Sequence, residues 1–405
     1  MKFFLFGAGA SIPFYQTPLT TSYITNEISK KERWEPILKD YWDKFEYHYP
    51  ISARKIALMV QLLIKKHPQY NFEDIVDVFD KLTLLQWPYT HTQAPEFKQT
   101  ISDLKALGFL KFHKTKKRIN LYFPFLLRCV LLNIFTEANT KRSSKYKDLI
   151  EKQHSLFEPT NDQNKIAIVS LNYDDFLYES LKGDFHTGFN LHHNEQEFES
   201  FSVQDFINKT RTISFLHGNI RFYNNNFTPK EIVGVKNRIN NLGSSSDESN
   251  NINNYSFNTF ITTGRNKELI FDENPYSIYY QKMAIDISKS EEIIIIGYSF
   301  NDSHVNRLLK NYFAIGRFRR IIIVDYYNGQ FNSNNLNFLE NVTIKNIKEL
   351  FEANINEDTY EFENLKKNGY GYLFNKILYY SKGYENFLNE YSEVLSSFSD
   401  TIYTI

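Results

Sequence analysis

The chain has 405 residues, and its 47 Lys and Arg residues balance 47 Asp and Glu residues, which gives a formal net charge of zero at pH 7. Without a net positive field, we expect no direct binding to nucleic acid. The single cysteine, Cys129, excludes an intrachain disulfide framework and a cysteine-based zinc site, so we expect no bound metal and a reducing, cytoplasmic location. Because the apolar runs are shorter than the roughly 20 residues that span a bilayer, no membrane contact is expected.

Short apolar runs predict the strands of the core; they occupy residues 2–6, 166–171, 212–216, 292–296 and 320–325. None of these runs alternates with polar residues, which is typical of strands covered on both faces by helices. The fold class predicted is therefore α/β, with a doubly wound parallel sheet. The first run has too few apolar residues for a secretory signal, so we interpret it as a strand of the mature protein.

Residues 20–160 are predicted to form a large helical insertion between the first two strands. The clearest helix covers 71–82 and follows a cap-like Asn71. Its apolar stripe consists of Phe72, Ile75, Val76, Phe79 and Leu82. The spacing puts four acidic residues on the opposite face: Glu73, Asp74, Asp77 and Asp80. We interpret this acidic face as solvated rather than as a metal site.

Two other segments differ in composition from the predicted core. Residues 224–258 are rich in Asn and Ser without apolar periodicity, which predicts a surface loop. Residues 351–405 mix aromatic residues and Leu with charges at helical spacing, which predicts a helical C-terminal extension. That extension would pack on this chain or form an oligomer contact with another copy.

A glycine-containing turn, Gly7-Ala8-Gly9-Ala10-Ser11, follows the first strand directly. Such a turn lets a phosphate approach backbone N–H groups, so a dinucleotide pyrophosphate is a candidate ligand. An ordinary tight turn would also use glycine, and Ile12 replaces the third glycine of the dinucleotide fingerprint. A nicotinamide dehydrogenase would carry an acidic residue about 20 residues further on. Here the candidate acid is Asp325, at the end of the fifth strand, which argues against that class.

Polar side chains follow three further strands, at the edge where open α/β sheets bind ligands. Asn172 and Asp174 follow the second strand, His217 follows the third, and Gly297 opens the stretch Gly-Tyr-Ser-Phe-Asn-Asp after the fourth. Structural interpretations remain open for each: an Asx cap on the next helix for the first pair, and a satisfied structural group for the histidine. His304 either contacts a ligand or caps the next helix, and we favour the structural role.

Taken together and in their order along the chain, these motifs resemble the sirtuin family. They are the glycine turn, Asn-Tyr-Asp, Phe-Leu-His-Gly, Gly-Tyr-Ser-Phe-Asn-Asp and the acidic residue that ends the last strand. The resemblance is closer to the family's divergent bacterial branch of NAD-hydrolysing defence proteins. It covers residues 1–20 and 160–330 and implies a Rossmann-like NAD-binding domain over residues 1–350, with NAD as substrate and no metal.

The resemblance also implies roles for individual residues. The positions that match the NAD pyrophosphate and adjacent ribose contacts are Gly7, Ala8, Gly9 and Ser11. Those that match contacts to phosphate and the adenosine ribose are Gly297, Ser299 and Asp325. The catalytic group comprises Asn172 beside the nicotinamide ribose, Asp174 at the carboxamide and His217 as the catalytic histidine.

Two departures from the family favour hydrolysis of NAD to nicotinamide and ADP-ribose over acyl transfer. Deacylating sirtuins carry a four-cysteine zinc module, whereas this chain has only Cys129, and Leu171 stands where they carry Gln. The alternatives are a protein deacylase and a non-catalytic NAD- or ADP-ribose-binding subunit. For the hydrolase we expect gating by homo-oligomer assembly, by an ATPase or translocase partner, or by a phage-derived activator, as part of anti-phage defence by NAD depletion.

Overall fold

A computed structural model describes residues 1–45, 52–84, 119–158, 165–174, 176–181, 185–189, 198–220, 222–224, 232–235, 275–314, 318, 320–327, 341–352, 364–365, 367–374 and 377–397. The described strands are β1 (Lys2–Phe6), β2 (Ile166–Ser170), β3 (Phe198–Ser200), β4 (Arg211–Phe215), β5 (Phe222–Asn224), β6 (Ile232–Val235), β7 (Glu292–Ile296), β8 (Arg320–Val324), β9 (Tyr370–Phe374) and β10 (Ile377–Tyr380). The described helices are a 3₁₀ helix at Ala8–Phe14, α1 (Thr21–Ile28), α2 (Lys31–Phe45), α3 (Ala53–Lys66), α4 (Phe72–Leu84), α5 (Ile119–Thr140), α6 (Tyr146–Leu156), α7 (Phe176–Ser180), α8 (Val203–Asn208), α9 (Tyr276–Lys289), α10 (Ser303–Phe313), α11 (Val342–Phe351) and α12 (Tyr384–Ser397).

The main sheet has the strand order β4-β2-β1-β7-β8-β10-β9. Each pair is parallel except β9 with β10, so the predicted parallel α/β sheet is confirmed. All five predicted strands are present, and their bounds agree within one residue. Successive strands run outward from β1 in one direction and from β7 in the other, so β1 and β7 flank the switch point of the sheet. Crevices that bind ligands form outside the carboxyl ends of strands at such a point.

Burial explains why these runs form central strands. The side chains of residues 3–6 on β1 and 293–296 on β7 all have an exposed fraction of 0%. A run that is apolar at every position can be covered on both faces, which only a sheet between two layers of helices provides. The centre of the core therefore lies along β1 and β7, directly beneath the loops that follow them.

The helical insertion contains α1 to α6, and α4 follows the predicted Asn71 cap. The Asn71 side chain accepts hydrogen bonds from the backbone N–H groups of Glu73 and Asp74. The prediction that the acidic face of α4 is solvated is wrong at two positions. Asp77 is buried, with an exposed fraction of 6%, and the Glu73 carboxylate accepts a hydrogen bond from Tyr173. This face is covered because α4 packs between α5 and the loop that follows β2. The Asp80 side chain lies outside the described part.

The predicted helical C-terminal extension is only partly correct. Residues 384–397 form α12, as expected, but β9 and β10 precede it and extend the main sheet beyond β8. Tyrosine and other aromatic residues favour strands, and the free edge of β8 supplies a partner for pairing. Within α12, Tyr384 and Phe387 are buried against the same chain, with exposed fractions of 5% and 0%.

The predicted loop at 224–258 also needs a correction. Asn224 ends β5, and Ile232–Val235 forms β6, which pairs with β3 and β5 in a small antiparallel sheet. The rest of that segment lies outside the described residues. No described helix has both the length and the hydropathy needed to cross a membrane.

Candidate functional site

The register of β2 and β4 brings two predicted site residues side by side. Ser170 pairs with Phe215, the last residues of the two parallel strands. Asn172 and His217 each lie two residues beyond this pair, at the same edge of the sheet. Asn172 and His217 are far apart in the sequence, and the parallel pairing of β2 with β4 makes them neighbours.

Hydrogen bonds fasten the loop after β2 to the loop after β4. The N–H of Leu216 donates to the carbonyl of Ser170 at 2.9 Å, and the N–H of Ile220 donates to the carbonyl of Tyr173 at 2.9 Å. The Asn219 side chain donates to the carbonyl of Asp174, also at 2.9 Å. The two loops therefore form one unit, in which the predicted site residues have fixed relative positions.

Asn172 has an unusual environment for an amide. Its exposed fraction is 4%, and neither Oδ1 nor Nδ2 makes a hydrogen bond to any residue that the structure describes. Its backbone contacts one hydroxyl: the N–H of Asn172 donates to Ser170 Oγ at 3.1 Å, and its carbonyl lies 3.5 Å from the same oxygen. Buried polar groups are hydrogen-bonded in the great majority of cases, and leaving one without a partner costs about 1–3 kcal/mol. Within the described structure, the donor and the acceptor of the Asn172 amide are thus both unused.

His217 is paired with a carboxylate that sequence reasoning did not include in the site. The exposed fraction of its side chain is 7%, and its Nε2 lies 2.9 Å from Oδ2 of Asp302, which is equally buried. Asp302 follows β7, and its Oδ1 accepts hydrogen bonds from the backbone N–H groups of His304 and Val305 at the start of α10. His304 therefore contributes its backbone to a helix cap, as interpreted from the sequence.

Tyr173 connects the site to the helical insertion. Its hydroxyl donates to the Glu73 carboxylate at 2.8 Å, and its ring lies 6.1 Å from the imidazole of His217. The rings of Phe72 and Phe135, both in the insertion, pack against it. Burial, followed by the charge of Glu73, raises the pKa of Tyr173 well above its ordinary value of 10.0, so its hydroxyl stays neutral.

Asp174 is buried, with an exposed fraction of 3%. Its Oδ1 lies 3.4 Å from the N–H of Phe176, a long contact at the start of α7. This is the Asx-type cap that the spacing also permits. The structure thus supports the capping interpretation geometrically, while contact with a ligand carboxamide stays a prediction.

The glycine turn packs backbone to backbone against the loop that follows β7. The N–H groups of Gly7 and Gly9 donate to the carbonyls of Ile296 and Gly297, at 2.9 and 3.0 Å. A Cβ added to Gly7 would lie 2.5 Å from the carbonyl oxygen of Gly297. A Cβ on Gly297, whose φ is +61°, would lie 2.2 Å from the N of Ala10. Close contact between the loops therefore requires these glycines, and a role in binding pyrophosphate stays a prediction.

The other predicted binding residues lie around this contact. Ser11 is fully buried and donates to the carbonyl of Ala8, whereas Ala8 itself is exposed. Ser299 is exposed, and its hydroxyl accepts a hydrogen bond from Asn301 at 3.0 Å. The Ser299 side chain, a predicted phosphate contact, is therefore accessible to solvent.

Asp325 follows β8, one strand beyond β7. Its Oδ1 accepts from the N–H of Tyr326 and its Oδ2 from the hydroxyl of Tyr379, at 2.8 and 3.0 Å. Burial raises the pKa of the Asp325 carboxyl, an effect opposed by its hydrogen bonds to Tyr326, Tyr379 and Thr343. Both oxygens thus have partners within the chain, one of them on β10.

The structure brings together Asn172, Asp174 and His217 at adjacent strand ends, and Gly7, Gly9 and Gly297 at the switch point. Sequence reasoning missed Glu73, Tyr173 and Asp302. Tyr173 and Asp302 belong to two of the motifs that follow strands, so their position beside strand ends could have identified them as site residues. The sequence contains no comparable indication for Glu73, because its partner Tyr173 is 100 residues away in the chain. The described residues hold no group of three or more His, Cys, Asp or Glu arranged to bind a metal ion.

Comparison with known proteins adds one finding. Residues 166–347, from the first residue of β2 into α11, match the family model described as the SIR2-like domain. This range contains Asn172, His217 and Asp302. A search of curated proteins finds no match.

Proposed function

We propose, from the premise that residues 166–347 of this chain form a SIR2-like domain, that the protein is an NAD+ hydrolase releasing nicotinamide and ADP-ribose. SIR2-like domains use NAD, and this match supports an NAD-dependent activity for the chain. The observation that carries the finer proposal is the buried Asn172 amide, which lacks a partner among the described residues and stands beside His217. A ribose hydroxyl and a water molecule supply the donor and acceptor that this amide needs.

The bond to be cleaved dictates what the site must supply. When the bond between C1′ and the pyridinium nitrogen breaks, its electron pair stays on nitrogen, so nicotinamide leaves as a neutral molecule. Positive charge then develops at C1′, as in glycoside hydrolysis, but no acid is needed to protonate the leaving group. Water forms a new bond to C1′ and gives up one proton. The site must therefore orient the ribose and accept a proton.

The three strand-end residues match these tasks. Asn172 positions the ribose and the attacking water through its amide. His217 accepts the proton, a role in which general-base assistance is typically worth about 10²–10⁴-fold in rate. Asp174 holds the carboxamide of the leaving group, while Tyr173 stays neutral and does not compete for the proton.

Two differences from deacylases in sequence favour hydrolysis over protein deacylation. Its one cysteine, Cys129, is buried in α5, so it cannot build the four-cysteine module that supports the acyl-peptide groove of deacylases. Leu171 is also buried and offers no polar contact to the ribose.

A hydrolase of NAD would deplete its own cell if always active, so we further propose that its activity is gated in the cytoplasm. Homo-oligomer assembly, an ATPase or translocase partner, and a phage-derived activator are the candidate triggers, in the context of anti-phage defence. Continuous hydrolysis would consume a cofactor that the cell needs, which is the chemical reason for a gate. The aromatic C-terminal residues Tyr384 and Phe387 are buried within the chain and lend it no support.

The test is incubation of the purified full chain with NAD+ and no acylated peptide, at low and high protein concentration and with and without each candidate activator, with free nicotinamide followed over time. We expect release in the wild type under the activating condition, abolished by Asn172→Ala and by His217→Ala. Asn208→Ala, at an exposed asparagine that ends α8, is the matched control and should release nicotinamide at the wild-type rate. Release that occurs only with an acylated peptide would identify a deacylase instead. Protection against melting by NAD without consumption would identify a binding subunit.

A further inference from the structure

We propose that Asp302 is a positioning residue for His217, which fixes the tautomer and orientation of the imidazole; this inference rests on the proposed function. Nothing in the family match assigns a role to this carboxylate. Its place in the fold makes the assignment specific, because Asp302 reaches across from the loop after β7 to a histidine that follows β4.

The two oxygens of Asp302 have different tasks. Oδ1 accepts from the N–H groups of His304 and Val305, at 3.0 and 3.2 Å, and so caps α10. Oδ2 lies 2.9 Å from Nε2 of His217, and both side chains have exposed fractions of 7%. A helix cap requires only the first of these contacts. The second one therefore needs a separate explanation.

The loop that carries Asp302 is held in a strained conformation. Phe300 has a φ of +56°, a region that costs a residue other than glycine about 1–3 kcal/mol. The Asn306 side chain donates to the carbonyl of Phe300 at 2.7 Å, and the Tyr298 hydroxyl contacts the carbonyl of Asp302 at 3.2 Å. Strain of this kind persists only where the surroundings over-determine it, as they do here. The result is a fixed position for the Asp302 carboxylate.

A carboxylate in this position determines which nitrogen of His217 carries the proton. An ionised carboxylate only accepts hydrogen bonds, so Nε2 must keep its hydrogen and donate it to Asp302. The lone pair is then on Nδ1, which becomes the proton acceptor. Once the ring accepts a proton, the adjacent negative charge stabilises the imidazolium, the same logic as in carboxylate-oriented histidines of hydrolases.

The decisive variant is Asp302→Asn, because asparagine caps helices as well as aspartate does. With the amide oxygen in the cap, the amide NH₂ would face Nε2 of His217 as a donor. The imidazole would then have to accept at Nε2 and carry its proton on Nδ1, which removes the base. We expect kcat for nicotinamide release to fall about 10²–10⁴-fold with KM and the melting temperature nearly unchanged. The exposed Asp148→Asn serves as the matched control and should leave all three unchanged.

A second measurement does not depend on turnover. In ¹⁵N NMR of the full chain, the nitrogens of His217 should show a protonated Nε2 and an unprotonated Nδ1 in the wild type, and the reverse in Asp302→Asn. Wild-type turnover in that variant, or an unchanged tautomer, would overturn the positioning role. If the wild type releases no nicotinamide at any protein concentration or with any candidate activator, the proposed function fails, and the NMR comparison still decides whether Asp302 sets the tautomer.

Discussion

At the scale of single residues, the candidate site contains groups whose burial or backbone conformation is energetically unfavourable. The Asn172 amide is buried without a partner in the described structure, and Phe300 has a left-handed backbone conformation, with a φ of +56°, that residues other than glycine avoid. Neither feature helps the chain to fold. Residues that break the rules of local stability are common at functional sites, because a binding site satisfies its polar groups only when the ligand is present.

Asn172→Leu tests whether the amide serves function at the expense of stability. Replacing a buried, unpaired polar group by an apolar group of similar size removes its desolvation cost of about 1–3 kcal/mol. We expect the free energy of unfolding in urea to stay equal or rise, while nicotinamide release is lost. A destabilised variant with normal turnover would show that the amide is structural.

Gly297→Ala tests the contact between the two glycine loops. The new Cβ would stand 2.2 Å from the N of Ala10 at a φ of +61°, so the loops must separate. We expect a loss of about 2–4 kcal/mol in stability, by analogy with other strained backbone substitutions, together with weaker NAD binding by calorimetry. Gly188→Ala, at a φ of +88° away from this contact, separates the effects. It should lower stability without changing the affinity for NAD of the protein that remains folded.

At the scale of elements, the helical insertion belongs to the site. Tyr173 packs against the rings of Phe72 on α4 and Phe135 on α5, and its hydroxyl donates a hydrogen bond to the Glu73 carboxylate. Tyr173 stands next to Asn172 in the chain. Displacement of the insertion would therefore disturb the orientation of the amide, which gives the proposed gating a structural route.

Glu73→Ala tests this coupling. It removes an acceptor of the buried Tyr173 hydroxyl, which should cost about 1–3 kcal/mol in the free energy of unfolding and lower turnover. Glu73→Gln keeps an acceptor oxygen and should have a smaller effect on both. The raised pKa of Tyr173 means that the hydroxyl keeps its proton in the folded state. The effect should therefore persist through neutral pH and diminish only above about pH 10, where the hydroxyl ionises in the unfolded chain. Wild-type stability and turnover in Glu73→Ala would contradict the coupling.

At the scale of the whole molecule, the C-terminal segment completes the core. β10 pairs with β8, and Tyr379 on β10 donates to Asp325 at the end of β8. The side chain of Tyr384 at the start of α12 packs against Phe6 and Phe14, beside the glycine turn. Residues 370–374 and 377–380 thus supply two strands of the sheet that carries the site, and 384–397 supply aromatic contacts beside it.

Phe387→Ala measures that requirement. Phe387 is fully buried and contacts the rings of Tyr380 and Tyr391, both at 5.3 Å between centroids. Truncation should cost about 3–5 kcal/mol in the free energy of unfolding. The neighbouring exposed Asn386→Ala should change it by less than about 0.5 kcal/mol. A Phe387 variant that unfolds normally but changes subunit association in sedimentation would instead support an oligomer contact.

Sequence reasoning predicted the parts of the molecule that depend on local pattern. The runs 2–6 and 292–296 became strands with those bounds because every position from 3 to 6 and from 293 to 296 is apolar. Asn172 and His217 were found because polar residues that follow buried strands gather at one edge. β9 and β10 were not predicted, since Asn375 and Lys376 divide the sequence into two short runs and the pairing edge belongs to distant β8. The burial of Asp77 and the contact of Glu73 depend on tertiary packing, which helical spacing does not encode.

The most direct measurement is a crystal structure of the His217→Ala variant with NAD+ bound. The account predicts that the nicotinamide ribose lies at the carboxyl ends of β2 and β4, with a ribose hydroxyl about 3 Å from the Asn172 amide and the space left by the imidazole beside C1′. A dinucleotide bound elsewhere, with the Asn172 amide still touching only protein, would contradict it.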